Sequence, residues 1–417
     1  MGCAASSSSS LHRRRRKRPP VSEVAVFVPS LRVPLPVDLA RHLRGLVSRH
    51  ALDTVSAARA RVVSSASENV SSNVLELRRS LEEYLPLLLG FTKKEFRLEF
   101  LVEFKWRDVV VQKKETCIAS AWYELLSVVH MMAMMALLEA NLVIVHSDSV
   151  VVCESEVSED CKKTAIDLLL MASGYLEFCV RHILVHMPLG VKKNLPGELQ
   201  EGVLEAIATQ ALGQGTEMQL GLAVESQKAT LSVKRRLACE QVSYFAQAHY
   251  CLSGCDINEH EKKILLFIKW KYLEAKAAAY YFHGQMLDKG SAPSDHISAA
   301  YCILAAEELL IDSKRACLCF CLAAPVTRVP PAWGAMKHLH QKIPELASKK
   351  CQTYGYLFEE DKVPQPLPDL PEFQLSLRPD DYELPDIDAM WDAETCQPQV
   401  QTLKAHLEDE VYENEMP

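Results

Sequence analysis

Leu199–Leu287 reads LQEGVLEAIATQALGQGTEMQLGLAVESQKATLSVKRRLACEQVSYFAQAHYCLSGCDINEHEKKILLFIKWKYLEAKAAAYYFHGQML. No proline falls between Pro196 and Pro293. Leu204, Ile207, Ala208, Ala211 and Leu212 form one apolar stripe, and Val233, Leu237, Val242, Phe245 and His249 continue a second. Ile264, Ile268, Tyr272, Ala275, Ala279, Phe282 and Met286 form a third. Recurrence at i, i+3, i+4 and i+7 makes amphipathic helices, each of which must bury a face. Lys228, Lys234, Arg235 and Arg236 sit among the apolar residues of the second, and no catalytic constellation is present. A large helical surface without reactive groups reads as a binding scaffold.

The rest of the chain agrees with an ordered helical protein. Over 417 residues, 48% hydrophobic content with only 15 glycines excludes a disordered composition. A net charge of −8 excludes general nucleic-acid binding, which needs a basic excess. The 14 cysteines lack the compact spacing of a secreted disulfide framework and point to a reducing compartment. Leu125–Val145 is the most apolar run, but it carries His130 and Glu139 and reads as a buried bundle helix, not a membrane span.

Charge is distributed unevenly. The chain opens Met1-Gly2-Cys3-Ala4-Ala5-Ser6, then Arg13, Arg14, Arg15, Arg16, Lys17 and Arg18, with no acidic residue before Glu23. After loss of Met1, Gly2 fits a myristoyl acceptor, Cys3 is placed for palmitoylation, and Ser6 occupies the favourable position. One acyl chain holds a protein only marginally on a bilayer, so a second signal is required. Cys3 and the basic run are two candidates, and each basic side chain near an anionic surface contributes about 1 kcal/mol. A Ser- and Arg-rich, acid-free segment also fits a transit peptide for organelle import, or a tail without destination. Lipidation is favoured because Gly2, Cys3 and Ser6 all fall in place.

Along the chain, Val24–Val28 reads as a short strand closed by Pro29. Leu39–Leu89 reads as two helices with a Ser-rich break at Ser64–Ser72, and Pro86 kinks or ends the second. Phe96, Leu98, Phe100, Val102, Phe104 and Trp106 alternate with mostly charged residues through Arg107, which marks a strand in a small hairpin. Thr116–Leu142 reads as helix, Val143–Val152 as loop or strand, and Cys161–His186, His296–Leu322 and Met336–Phe358 as further helices. Small residues at Ala277–Ala279, Gly284, Ala299, Ala300, Ala305 and Ala306 form tetratricopeptide-like helix pairs without a constant period. The fold class expected is therefore all-α dominated, an irregular helical solenoid with a small β-hairpin near its N-terminal end.

Three regions follow: residues 1–22, a disordered lipidated and polybasic segment; residues 23–385, the folded domain; and residues 386–417, an acidic, mostly disordered tail with one weak helix at Val400–Glu410. Within the domain, residues 363–385 form a Pro-rich strap, whose apolar residues pack along the helices. Pro368–Pro371 also has the spacing of a PxxP ligand, but that spacing is common, and docking on the same chain is the favoured reading. No Cys lies four residues from the end, so no prenylation box is present.

Candidate chemistry is thin. His182 and His186 have a metal-ligand spacing but lack the adjacent glutamate of a zincin. Cys317, Cys319 and Cys321 point to different sides of a helix and read as packing thiols. His249, Cys251, Cys255 and His260 could converge on zinc, though no metal is assigned. Gly213, Gly215 and Gly221 do not spell a phosphate loop, and no nucleophile has a base beside it. Glu154–Asp160 is an acid-rich loop that would attract a basic partner. No enzyme, no cofactor and no small-molecule substrate are expected.

Phe104-Lys105-Trp106-Arg107-Asp108, Met171-Ala172-Ser173-Gly174-Tyr175, Ala211-Leu212-Gly213-Gln214, Leu237-Ala238, Tyr244-Phe245, Lys269-Trp270-Lys271-Tyr272 and Tyr281-Phe282-His283-Gly284 resemble the Bro domain family of endosomal-sorting adaptors, as does the strap after Tyr356. The resemblance covers about Val24–Pro385. It implies a boomerang-shaped solenoid with a groove for the C-terminal amphipathic helix of ESCRT-III subunits. It places the apolar groove positions at Leu220, Val233 and Leu237, and the acidic contact at Glu159 with Asp160 beside it. The absent prenylation box departs from single-domain members, and Gly2 and Cys3 could replace it as the anchor. The resulting expectation is a peripheral, lipid-anchored adaptor on the cytoplasmic face of endosomal or plasma membrane. An organelle-imported helical scaffold with other protein partners is the alternative.

Overall fold

A computed structural model describes residues 22–29, 31–67, 73–109, 115–147, 157–255, 262–329, 334–360 and 366–391. The helices are α1 (Leu39–Leu43), α2 (Arg49–Ser67), α3 (Val74–Leu89), α4 (Ala121–Ser147), α5 (Glu159–Phe178), α6 (Leu189–Lys193), α7 (Glu201–Glu225), α8 (Leu231–Leu252), α9 (Lys262–Leu287), α10 (Pro293–Leu322) and α11 (Gly334–Glu360). The strands are β1 (Ser22–Glu23), β2 (Arg32–Pro34), β3 (Glu103–Asp108), β4 (Glu115–Ala119) and β5 (Thr327–Arg328). Each long helix packs on the next, from α2 through α3, α4, α5, α7, α8 and α9 to α10, and α11 folds back onto α10 and α7. This is an irregular helical solenoid, as expected from amphipathic stripes without a fixed repeat.

Side-chain oxygens of Asp38, Ser158 and Thr230 accept from the backbone N–H three residues on, which caps α1, α5 and α8. Pro293 opens α10 at its first turn, where its missing N–H has no cost. Pro86 lies inside α3, which continues to Leu89. The carbonyl of Pro86 instead accepts from Asp388 N at 3.3 Å. The helix Cys161–His186 continues past α5 as a π turn at Cys179–Ile183 and a 3-10 turn at Leu184–His186.

The β elements differ from the sequence reading. Strands β2, β3 and β4 form an antiparallel sheet, with Phe104 opposite Ile118 and Trp106 opposite Thr116. The hairpin exists, but its first strand begins only at Glu103. Residues 96–101 turn instead, with Arg97 in the left-handed region at φ 54°. Leu98 and Val102 are buried nonetheless, so their alternation reports burial on a turning chain. Glu115–Ala119 is β4 and not the start of a helix, which begins at Ala121. Residues 143–147 continue α4, and those from 148 to 152 lie outside the described residues.

Val24–Val28 is also not a strand. It threads the core with Ala25 and Val26 fully buried, and Asn141 Oδ1 accepts from both their amides at 2.8 and 2.9 Å. Gln210 and Gln214 donate to the carbonyls of Phe27 and Ala25. Three side-chain amides thus replace a ladder, because a buried backbone must find partners wherever they lie. Only Ser22–Glu23 pairs in a sheet, parallel to β5.

Helices α4 and α5 with its continuation are long and apolar enough to cross a membrane, yet more than half of each apolar window is buried within the protein. Glu139 pairs with Arg78 at 3.1 Å, and His130 is 1% exposed. Two buried ion pairs fix the N-terminal half. Arg59 Nε donates to Glu124 Oε1 at 2.9 Å, while Trp106 Nε1 donates to Glu124 Oε2 at 2.6 Å and Tyr84 Oη to Oε1 at 3.3 Å. Arg32 pairs with Glu198 at 3.0 Å and donates to Tyr123 Oη at 2.8 Å. Burial opposes the charge on Arg59, but Glu124 holds the guanidinium above its ordinary range.

The strap docks on its own chain. From Pro366 it runs extended across α8, α7, α5 and α3. Arg236 donates to Gln374 O, Glu240 Oε2 accepts from Ser376 N at 2.9 Å, and Tyr244 Oη donates to Leu377 O at 2.7 Å. Leu377 lies over Gly215, where a Cβ would come within 3.0 Å. The Asp380 carbonyl lies over Gly174, and Tyr382 packs edge-on against Tyr175 and Phe178. Packing continues past Pro385, because Trp391 is 5% exposed, packs against Phe91 and Phe96, and donates to Leu87 O at 2.9 Å. Residues 386–391 therefore belong to the folded unit. The rest of the tail, including Val400–Glu410, lies outside the described residues.

Candidate partner-binding face

The strap divides the helical surface. Along α8, Tyr244, Glu240, Leu237 and Val233 follow at helical spacing, so they share one face. The strap covers Tyr244 and Glu240 and leaves the N-terminal part open, where Val233 is 44% exposed and Leu237 partly buried. Along α7, Gly215, Gln219 and Leu222 share a face. Leu377 covers the glycine, and the other two remain partly exposed. Along α5, Gly174, Leu170 or Met171, Asp167, Lys163 and Asp160 do the same. Asp380 covers Gly174, Leu170 and Met171 are partly exposed, and the charged residues are exposed. Helix α7 lies between α5 and α8.

The result is a shallow trough walled at one side by the strap. Its floor is Leu222 with Leu170 and Met171, and its apolar rim is Val233 and Leu237. Acidic Asp160 and Asp167 stand on the α5 side and Arg236 on the α8 side, whereas Lys234 turns toward α9 and α11 beside Tyr281 and Leu339. Adjacent helices pack about 8–10 Å apart axis to axis, so the axes of α5 and α8 stand about 16–20 Å apart with α7 between them. The open end is held by Lys162, 2% exposed, whose Nζ donates to both carboxylate oxygens of Glu225 at 2.6 Å.

The sequence-derived residues divide accordingly. Val233 and Leu237 lie on the trough, and Glu159 and Asp160 lie in the first turn of α5. Glu159 pairs with Lys163 at 2.7 Å, with both side chains more than half exposed, and the hydrogen bond from Lys163 lowers its pKa. Both carboxylates also complement the helix dipole. Leu220 is corrected: at 1% exposure it packs in the core with Ala238, Ala279 and Phe282, facing away from the trough. Leu222, two residues on, faces the trough together with Gln219. Sequence reasoning missed it, although its i+7 spacing from Gly215 carried the signal. Gly2, Cys3, Arg13–Arg16, Lys17 and Arg18 lie outside the described residues.

The chemical candidates resolve as packing. His182 stacks on Phe178 and His186 on Trp122, at centroid distances of 4.8 and 5.0 Å. Cys255 Sγ donates to Cys251 O at 3.4 Å, burial raises the Cys251 pKa, and His260 lies outside the described residues. Among the described residues no three His, Cys, Asp or Glu side chains gather as a metal site.

No protein-family model matches the chain. It is similar to the BRO1 domain-containing protein BROX of Danio rerio, 24% identical over 338 residues, which are 78% of this chain and 76% of that protein. The structure superposes on the ALIX BRO1 domain from its complex with CHMP4C with a TM-score of 0.61 and 16% identity, covering 88% of this chain and 98% of that one. The chain has the fold of a BRO1 domain. A longer ALIX chain, crystallised with the SIVmac239 PYKEVTEDL late domain, gives a TM-score of 0.63 at 16% identity over 92% of this chain; the present chain spans about half of its length, 53%. A Bro1 domain described as a basis for endosomal targeting gives 0.55 at 14% identity over 91% of this chain and 97% of that one. In this BRO1 fold the strap and the α5–α7–α8 trough are parts of one continuous surface.

Proposed function

We propose that this protein is a non-enzymatic, membrane-attached adaptor that binds the C-terminal amphipathic helix of an ESCRT-III subunit in endosomal sorting. The strap-bounded trough carries the reading. It presents apolar Val233 and Leu237 one turn apart, an apolar floor, and walls of opposite charge. An amphipathic helix docks by laying a few apolar anchors into such a surface. The complex of the ALIX BRO1 domain with CHMP4C supports a partner of this class. Gly2 and Cys3 would anchor the protein to the cytoplasmic face of endosomal or plasma membrane, with Arg13–Arg18 as the electrostatic second signal.

Titration of the full chain with a labelled ESCRT-III C-terminal helix tests the trough. Leu237→Asp is expected to weaken binding at least about tenfold, about 1.4 kcal/mol, while the thermal midpoint stays close to the parent's. A folded Leu237→Asp protein that binds normally removes the trough from the reading. Intact-mass measurement of the native N-terminus tests the anchor. Acylated Gly2 supports it, whereas a new N-terminus beyond Arg18 favours the organelle-import alternative.

A further inference from the structure

The last turns of α10 carry a second exposed apolar surface, away from the trough. Ile311, Arg315, Leu318 and Leu322 share one face of the helix, spaced by four, three and four residues. Leu318 and Leu322 are 59% and 66% exposed, and Val326, just after the helix, is 58% exposed. The opposite face holds Ser313, Ala316 and Phe320 in the core, so the stripe points outward. The corner is firmly built. Lys263 Nζ donates to Ala323 O at 3.0 Å, to Pro325 O and to Thr327 Oγ1 at 3.1 Å, and lies over the Phe320 ring.

What stands beside this corner is the start of the described chain. Ser22 and Glu23 pair in parallel with Thr327 and Arg328, and Val24 N donates to Arg328 O at 2.9 Å. The chain preceding Ser22, whose sequence carries Arg13–Arg18, therefore joins the described residues at the edge that follows Val326. Arg18 is four residues from Ser22, a reach of at most about 14 Å, and Arg13 is nine residues away, at most about 32 Å. Around the stripe Lys314 is exposed, while Arg315 pairs with Asp312 at 3.0 Å and Arg328 with Glu23.

We propose that Leu318, Leu322 and Val326, beside the exit of the basic segment, form a contact edge that seats the domain on an anionic lipid bilayer. The inference rests on the membrane-attached reading above and adds which face meets the lipid. A protein helix could also cover an apolar stripe. The tethered basic run, with no acidic residue before Glu23, selects the anionic surface as occupant.

The test uses the full chain, unacylated, with phosphatidylcholine vesicles that do or do not contain phosphatidylserine. The parent is expected to sediment preferentially with the anionic vesicles. Combined Leu318→Ser, Leu322→Ser and Val326→Ser is expected to lower that partition about tenfold without changing affinity for the ESCRT-III helix. Leu318→Trp adds a local probe, whose emission is expected to shift to shorter wavelength on anionic vesicles. Unchanged partition of the triple variant overturns the edge, as does an unshifted emission from vesicle-bound Leu318→Trp protein. A parent that ignores anionic vesicles overturns it too. Capture of a protein helix on the stripe instead of lipid would do the same. Failure of the membrane-attached reading shows separately, as a native protein that is neither acylated nor membrane-associated.

Discussion

The Tyr244 hydroxyl, on α8, donates a 2.7 Å hydrogen bond to the carbonyl of Leu377 in the strap. This contact joins residues 133 apart and sits where the strap crosses from α8 to α7. Tyr244→Phe keeps the ring and leaves that carbonyl without its donor, at an expected cost of about 1 kcal/mol. Gly174→Ala is expected to act more strongly. Its Cβ would lie 2.2 Å from the Asp380 carbonyl oxygen, so the strap backbone must move. Limited proteolysis read by mass spectrometry checks this: cleavage within residues 366–391 should accelerate in both variants, and most in Gly174→Ala. Equal cleavage rates in parent and variants would show that these contacts do not hold the strap.

The trough gives a contrast between two apolar positions. Val233→Asp, at an exposed site, is expected to weaken the partner helix and leave folding intact. Leu220→Asp buries an unpaired carboxylate in the core and is expected to unfold the domain or lower its midpoint by many degrees. Circular dichroism melts beside peptide titrations check the pair. The same response from both would mean that Val233 is not on an open face.

Removing one partner of a buried ion pair leaves an uncompensated charge. Arg59→Met strands Glu124, 0% exposed, and is expected to cost about 3–5 kcal/mol. Adding Glu124→Leu should recover part of that loss in a double-mutant cycle measured by urea unfolding. The recovery will be incomplete, because Trp106 Nε1 and Tyr84 Oη also lose their acceptor.

Acid should destabilise the fold through His130. Burial lowers its pKa from 6.5 to about 3, so between those values the unfolded chain binds a proton that the folded chain does not. Stability is therefore expected to fall as pH drops from 6.5 toward 3, by roughly 4 kcal/mol in total from this group. His283, also lowered by burial, adds in the same direction. Urea midpoints across pH should show the slope, and His130→Gln should flatten it. A parent with pH-independent stability over that range would contradict a neutral, buried His130.

Gly2→Ala is expected to move the protein to the soluble fraction in cells. Neutralising Arg13–Arg18 should weaken attachment partially, since each signal alone holds marginally. Unchanged fractionation of Gly2→Ala would remove the acyl anchor and leave partner binding as the tether.

The sequence by itself determined the helices. Stripes at i, i+3, i+4 and i+7 mark α7, α8, α9 and α10, and Pro196, Pro293 and Pro325 bound that stretch and α10, because helical hydrogen bonds and one buried face are local matters. It also carried the strap, since proline presets an extended chain, and the shared helix face of Val233 and Leu237, which are one turn apart on any helix. Tertiary structure decided what periodicity cannot encode. Val24–Val28 looks like a strand, but Asn141, Gln210 and Gln214 supply its hydrogen bonds from distant helices. Leu220 and Leu222 are both apolar residues of α7. Only the packing of α8, α9 and α11 around that helix sends one into the core and leaves the other at the trough. The meeting of Ser22 with Thr327 is likewise invisible in sequence. A two-residue parallel pairing across 305 positions is set by where the solenoid brings its ends, and that placement puts Ser22 at the edge that follows Val326.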